Sequence, residues 1–236
     1  MSIENEIITE LKNHGADFVH FVNISRLSDE QNKHYPQAVL FGIVLTPKYL
    51  REVSGTPDYV KDMIRDKRMN QDEFHLKEIQ TDRMADDLAS FLIGKGYSAF
   101  SQSEAHLEAA GSYDLKTKTT PLPHKTIARL AGLGWIGKHN LLVTEAFGSA
   151  ISMCTVLTDA PVKSVPNAPL PSLCGNCTVC TDICEPNAIK GNSWSPETHR
   201  DKLVDVFVCT TCLKCLAHCP WTQKYVKKHF HTFRQS

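Results

Sequence analysis

Eight of the nine cysteines fall in two runs of one spacing toward the C-terminal end. The first run is Cys174, Cys177, Cys180 and Cys184; the second is Cys209, Cys212, Cys215 and Cys219. Both read C-x2-C-x2-C-x3-C. Three thiolates at that interval clasp three corners of a [4Fe–4S] cubane on one tight turn, while the fourth points away and ligates a second cubane. The spacing therefore predicts two clusters with crossed ligation. One would be held by Cys174, Cys177, Cys180 and Cys219, the other by Cys209, Cys212, Cys215 and Cys184. Whatever else the chain does, it must fold so that the two runs lie side by side. Such clusters move single electrons, so redox work is expected.

Zinc takes its four ligands as two C-x2-C pairs divided by a longer loop, which suits these unbroken runs less well. A disulfide framework belongs to secreted chains too small to bury a core. This chain has 236 residues, 42% of them hydrophobic, and opens on the polar stretch Met-Ser-Ile-Glu-Asn-Glu rather than an export signal. No apolar run has the length of a membrane span, so no membrane partner is expected. Reduced thiols then point to the cytoplasm. Pro220 follows the last cysteine of the second run, whereas Glu185 takes that place in the first. Cys154, outside both runs, sits in an apolar stretch and reads as a buried, inert thiol. Lysine plus arginine equal aspartate plus glutamate at 26 each, which removes the electrostatic argument for nucleic-acid binding.

Along the chain, Ile3, Ile7, Ile8 and Leu11 predict an amphipathic helix, with Gly15 near its end. Strands follow at 18–22 and 38–45, the second apolar enough to be central in a sheet. Residues 46–71 are polar and irregular and read as a surface excursion with some helix. Met84, Leu88, Phe91 and Leu92 mark a helix from Asp72 to about Lys95, ended by Gly96. A strand is expected at 97–100, a loop at 111–123, a helix at 124–130, and strands at 141–143 and 150–157. Four prolines between Pro161 and Pro171, one of them Pro166, read as a semi-rigid linker. Between the cysteine runs, Ser195, Pro196 and Glu197 look like a helix start, with Leu203, Val206 and Phe207 facing inward. The basic tail from Lys224 to Ser236 reads as a solvated end. This order predicts an α/β layered domain over 1–160 and a cluster module over 161–236.

Residues 131–138 place Gly132, Gly134 and Gly137 around Trp135 and Ile136 and close on Lys138. The glycines match GxGxxG by letter, but helix rather than strand precedes them, so a dinucleotide site is not expected. Glycines allow close backbone approach, so the segment can lie against a large ligand; equally, it can be a structural turn with Trp135 in the core.

At these residues the chain resembles a known family. The glycine loop, the turn Phe147-Gly148-Ser149, the stretch Val156 to Asp159 and a double cluster module closing on Cys219, Pro220 and Trp221 occur in this order in epoxyqueuosine reductases. Those are in turn similar to reductive dehalogenases. The resemblance covers about 35 to 225 and is strongest from 130 onward. It implies a nitroreductase-related α/β domain that carries cobalamin beside a ferredoxin-like module. Electrons would pass through the clusters to cobalt, with Co(I) as reductant or nucleophile. The corrinoid would meet Gly132, Gly134, Trp135, Ile136, Gly137, Lys138, Gly148 and Ser149.

Two departures shift the expected substrate. The family's acidic proton donor falls, in this register, at position 118, with Pro121 three residues on; the residue here is Lys118. A lysine keeps its charge near neutral pH and attracts anions. The chain also ends soon after the second run, where many relatives extend onto tRNA. A small-molecule substrate, rather than tRNA, is therefore expected, with a ferredoxin or flavodoxin-type electron donor. Lys118 and His124 are the catalytic candidates, and His139 is a further histidine beside the loop. Trp221 is expected to shield a cluster from water. The resulting reading is a corrinoid-dependent iron–sulfur oxidoreductase. The alternatives are a non-catalytic electron carrier and a protein that reduces cobalamin for delivery.

Overall fold

The computed structural model describes residues 2–164 and 168–230. In chain order the first half holds α1 (Ile3–Asn13), β1 (Phe18–Asn23), α2 (Asp29–Asn32), β2 (Gln37–Val44), α3 (Pro47–Gly55), α4 (Tyr59–Arg65), a 3-10 turn at Met69–Gln71, and α5 (Glu73–Gly94). There follow β3 (Ala99–Ser101), α6 (Glu104–Ala109), α7 (His124–Leu130), β4 (Trp135–Ile136), β5 (Leu142–Val143) and β6 (Ile151–Thr158). The cysteine-bearing end holds α8 (Val179–Asp182), a 3-10 turn at Arg200–Lys202, α9 (Lys214–His218) and α10 (Pro220–Phe230). Helices and strands alternate, as expected of a mixed α/β chain. Contacts group it into two compact units that interleave in sequence. The first comprises Met1–Ile43, Leu76–Gly132 and Ser152–Ala168; the second comprises Val44–His75, Leu133–Ile151 and Pro169–Ser236. This grouping does not coincide with a single cut near residue 160.

In the first unit, β1, β2, β6 and β3 form a four-stranded sheet in that order. β1 runs antiparallel to β2, from Phe18 opposite Gly42 to Asn23 opposite Gln37, and β3 runs antiparallel to β6. Ala38, Val39, Leu40 and Phe41 are all fully buried. Burial on both faces is what the nearly continuous apolar run of β2 requires. Ile7 and Leu11 of α1 and Met84, Leu88 and Leu92 of α5 pack with Val39, Phe41 and Val156. Their i, i+4 spacing puts them on one helix face. α5 stops where Gly96 adopts φ +88 and Tyr97 N donates to Leu92 O at 3.1 Å.

The second unit corrects three expectations. Residues 46–71 are mostly helix and supply core: Tyr49, Leu50 and Val53 of α3 are buried with Leu216, Ala217, Tyr225 and Val226. Thr46 Oγ1 caps α3 by accepting from Tyr49 N at 3.2 Å, and Pro47 holds the first helical position. Tyr49 Oη donates to Asp72 Oδ2 at 2.9 Å, and Asp72 Oδ1 accepts from His75 N at 2.8 Å at the start of α5. Secondly, the segment between the cysteine runs forms no α-helix at Ser195; it makes a bridge between Ile189 and Val204 and the 3-10 turn at Arg200–Lys202. Leu203 is buried there, but Phe207 is 62% exposed. Thirdly, the basic tail begins inside α10, where Tyr225 and Val226 are core residues. The rest of that tail beyond 230, and Pro166 of the expected linker, lie outside the described residues; the linker's described part has no helix or strand.

Candidate metal centres

Left-handed residues coil both cysteine runs. Gly175 has φ +47 in the first, and Thr211 (φ +52) and Leu213 (φ +61) bracket Cys212 in the second. α8 carries Cys180 and α9 carries Cys215. Cys219 ends α9 with an extended ψ of 129°, the conformation that the following Pro220 imposes. That extension separates Cys219 from the other three cysteines of its run.

The outcome is two cavities. Cys174, Cys177, Cys180 and Cys219 line one of about 380 Å³. Cys184, Cys209, Cys212 and Cys215 line another of about 110 Å³. The last cysteine of each run thus lines a cavity with the first three of the other. Among the described residues no three of His, Cys, Asp and Glu are grouped to hold a single ion, whereas four thiols ring each cavity. A polynuclear cluster fits that donor set. Burial, then neighbouring thiols, pushes Cys180 up to about 11 and Cys215 up to about 12; burial also raises Cys219. Thiolates in such apolar walls would need a bound cation to offset their charge. Cys154 stands apart in the first unit, fully buried, with Asp82 Oδ1 3.7 Å from its sulfur.

The glycine loop reaches the larger cavity at its last residue, Lys138. β4 and β5 pair as a hairpin, Trp135 opposite Val143 and Ile136 opposite Leu142. Each glycine has a use inside the chain. Gly132, at φ +67, ends α7. A Cβ on Gly134 would sit 2.0 Å from Val143 O, and one on Gly137 would sit 2.7 Å from the His139 ring. Gly148, at φ +60, faces the start of α10, where a Cβ would lie 2.2 Å from Thr222 N. Ser149 N donates to Thr222 Oγ1 at 3.0 Å.

Lys138, 8% exposed, lines the larger cavity and donates from Nζ to Cys177 O at 2.9 Å. His139 is buried and lines both cavities. Its Nδ1 accepts from Leu141 N at 3.2 Å, so Nε2 carries the proton it shares with Ser149 Oγ at 3.2 Å. Trp135, 1% exposed, meets Trp221 edge to face, centroids 5.1 Å apart. Trp221 lines the larger cavity, with Lys224 Nζ 5.2 Å from its ring centroid. Trp135, Ile136, Lys138 and Ser149 are all buried.

The two catalytic candidates lie in the first unit. Lys118 is exposed in a turn at φ +52. His124 opens α7, and its Nδ1 lies 2.9 Å from Thr155 Oγ1, whose hydroxyl donates to Gln102 Oε1. Thr155 therefore accepts from His124, and burial pushes the ring's pKa down to about 4. Sequence reasoning assigned Trp135 and Lys138 to a ligand loop and missed that they face the cysteines. The signal was their position just ahead of a two-residue strand able to pair back across Gly134.

No family model matches the chain. Among curated proteins it is similar to epoxyqueuosine reductases of several bacteria. Identity is 30% over 111 residues to that of Bacillus anthracis, 40% of this chain and 29% of the relative. It is 45% over 71 residues to that of Synechococcus sp. (strain CC9605), 30% of this chain and 22% of the relative. It is 29% over 136 residues to that of Lactococcus garvieae, 51% and 37%. The chain thus spans between a fifth and two-fifths of these relatives' length. Among solved structures, a catabolic reductive dehalogenase in complex with 3-bromo-4-hydroxybenzoic acid superposes with TM-score 0.63 at 21% identity, over 92% of this chain and 31% of that one. An epoxyqueuosine reductase bound to an epoxyqueuosine-modified tRNA stem loop gives 0.56 at 16%, over 94% and 65%. A reductive dehalogenase whose structure suggests a mechanism for B12-dependent dehalogenation gives 0.62 at 19%, over 94% and 33%. The chain has the mixed α/β fold these reductases share.

Proposed function

We propose that this chain is a cytoplasmic iron–sulfur reductase that takes single electrons from a ferredoxin or flavodoxin-type donor and delivers them to a small-molecule substrate. The observation that carries this reading is the pair of four-cysteine cavities with crossed runs. Cys174, Cys177, Cys180 and Cys219 would hold one [4Fe–4S] cluster and Cys184, Cys209, Cys212 and Cys215 the other, in a ferredoxin-like module. When bound, the clusters supply one-electron transfer. The chain's own part is to hold and dry the site. Lys138 ties the Cys174–Cys177 turn through the Cys177 carbonyl and brings a positive charge against an anionic centre. Trp221 and Leu173 cover the larger cavity; Ile189, Val204 and Leu216 cover the smaller.

Similarity to epoxyqueuosine reductases supports reduction as the reaction class, on a nitroreductase-related frame. Lys118, cationic where those relatives' donor register calls for an acid, favours an anionic or halogenated small molecule over modified tRNA. Lys118 and His124 stay assigned as proton donors for such a substrate. The B12-dependent relative supports a corrinoid as the electrons' destination. The 132–138 and 147–149 segments would then meet it through main chain. The burial of Trp135, Ile136 and Ser149 favours the second reading, an electron-transfer or cobalamin-reducing accessory protein without turnover of its own.

Anaerobic analysis should return about eight iron and eight sulfide per chain for two cubanes; about four, or zinc instead, refutes the assignment. Cob(II)alamin titrated into that protein should change its visible spectrum if a corrinoid is the acceptor. Conversion of an organohalide or epoxide then separates reductase from accessory protein, and conversion of epoxyqueuosine tRNA would overturn the small-molecule assignment.

A further inference from the structure

Against the cysteines of the larger cavity stands a hydrogen-bond donor with nothing to donate to. Trp135 Nε1 is buried and has no hydrogen-bond partner. Trp135 is 1% exposed and packs in one cluster with Cys174, Cys219 and Trp221. A buried unpaired donor is costly and rare in a native fold, so it calls for an acceptor that the chain alone does not supply. Sulfur carrying negative charge is the acceptor chemistry that the four surrounding cysteines bring.

We propose that the indole N–H of Trp135 donates to a sulfur atom of the cluster held by Cys174, Cys177, Cys180 and Cys219, and makes it the more easily reduced of the two. The proposal rests on the two-cluster reading. Reduction adds one negative charge to a cluster, and hydrogen bonds to an anion strengthen as its charge grows, so this donor favours the reduced form. Lys138 acts in the same direction, its ammonium held in that wall. The smaller cavity differs. Ile183, Ile189, Val204, Leu213 and Leu216 line it, and Cys184 and Cys215 pack with Ala188, Ile189 and Val204. Lys214, whose charge is felt at Cys212, is ion-paired with Glu185. Electrons arriving at the cluster of Cys184, Cys209, Cys212 and Cys215 therefore run downhill toward the other.

The test is read on the clusters, without substrate or corrinoid. Protein carrying [15N]indole-labelled tryptophan is reconstituted anaerobically, reduced stepwise, and followed by electron paramagnetic resonance with hyperfine detection. The expected result is a nitrogen coupling on the first cluster to reduce, absent in Trp135→Phe. In that variant the same cluster's midpoint falls by about 59 mV, a tenfold change in its one-electron equilibrium, while the other stays put. No coupling in the wild type, equal shifts of both midpoints, or a shift confined to the lower-potential cluster overturns the proposal. Should Trp135→Phe lose iron, the wild-type coupling decides. With no clusters the two-cluster reading falls as well; with two clusters and no coupling only this inference does.

Discussion

Replacing Gly148 with alanine should unfasten one cluster and leave the other. Gly148 has φ +60, a conformation that costs an L-residue about 1–2 kcal/mol. The added methyl would also lie 2.2 Å from Thr222 N, 2.4 Å from its Cα and 2.5 Å from its Oγ1. Two of these atoms are backbone at the start of α10, so relief requires that turn and the helix end to part by about 1 Å, an overpacking cost of about 1–3 kcal/mol. The sum, about 2–5 kcal/mol, is a large part of the 5–15 kcal/mol that holds an ordinary domain together. The chemistry is more sensitive than the fold. Cys219 lies three residues before Thr222, and metal–ligand distances tolerate only about 0.2 Å. Iron in Gly148→Ala is therefore expected to fall from about eight toward about four per chain, with the cluster of Cys184, Cys209, Cys212 and Cys215 surviving. Gly55→Ala is the matched control: nothing lies within 4 Å of its added methyl, and it should keep all its iron. Full iron content in Gly148→Ala, with an unchanged urea midpoint, would refute the reasoning.

His124 gives a pH signature. Burial holds its folded pKa at about 4, below the ordinary imidazole value of 6.5, so well above pH 6.5 the ring is neutral in both states and does not affect stability. Below that the unfolded chain takes up a proton that the folded ring refuses, and stability is lost as pH falls toward 4. Urea titrations should show about 1 kcal/mol lost between pH 6.5 and 5.5 beyond whatever His124→Gln loses, and parallel profiles would contradict it. Tyr49→Phe leaves buried Asp72 without its 2.9 Å donor and should cost about 1–3 kcal/mol in the same assay; a cost below the assay's error would mean Asp72 finds another partner. Cys154→Ala should leave iron and sulfide unchanged, since that thiol lines neither cavity; loss of iron would mean a ligand has been misassigned.

The parts of the molecule legible in the sequence are those in which a local rule decides. The interval of the cysteines is one such rule, and the eight divide between two cavities, four to each. α7 begins and ends at His124 and Leu130, where Pro123 opens it and Gly132 stops it. The misreadings arose where composition stood in for position. Residues 46–71 are polar on average, yet Tyr49, Leu50 and Val53 occupy one face of α3, and Thr46-Pro47 announced its start. Ser195-Pro196-Glu197 carried the same kind of start signal but no periodic apolar face to sustain a helix, and Phe207 is left outside. The glycine loop misled differently. Gly134 and Gly137 are required by a carbonyl and an imidazole of the same chain, a contact no spacing rule encodes.

The crossed runs bear on how the protein is made. Neither cavity can be finished from one stretch of nascent chain, because each takes its last cysteine from the other run. The larger one, begun at Cys174, stays a three-sided cup until Cys219 has left the ribosome. The smaller has to wait for Cys215 while holding Cys184 in reserve. Iron delivered before that point would meet an incomplete ligand set at both addresses. The two sets are completed within four residues of each other, at Cys215 and Cys219, so neither site could fill before the second run is made.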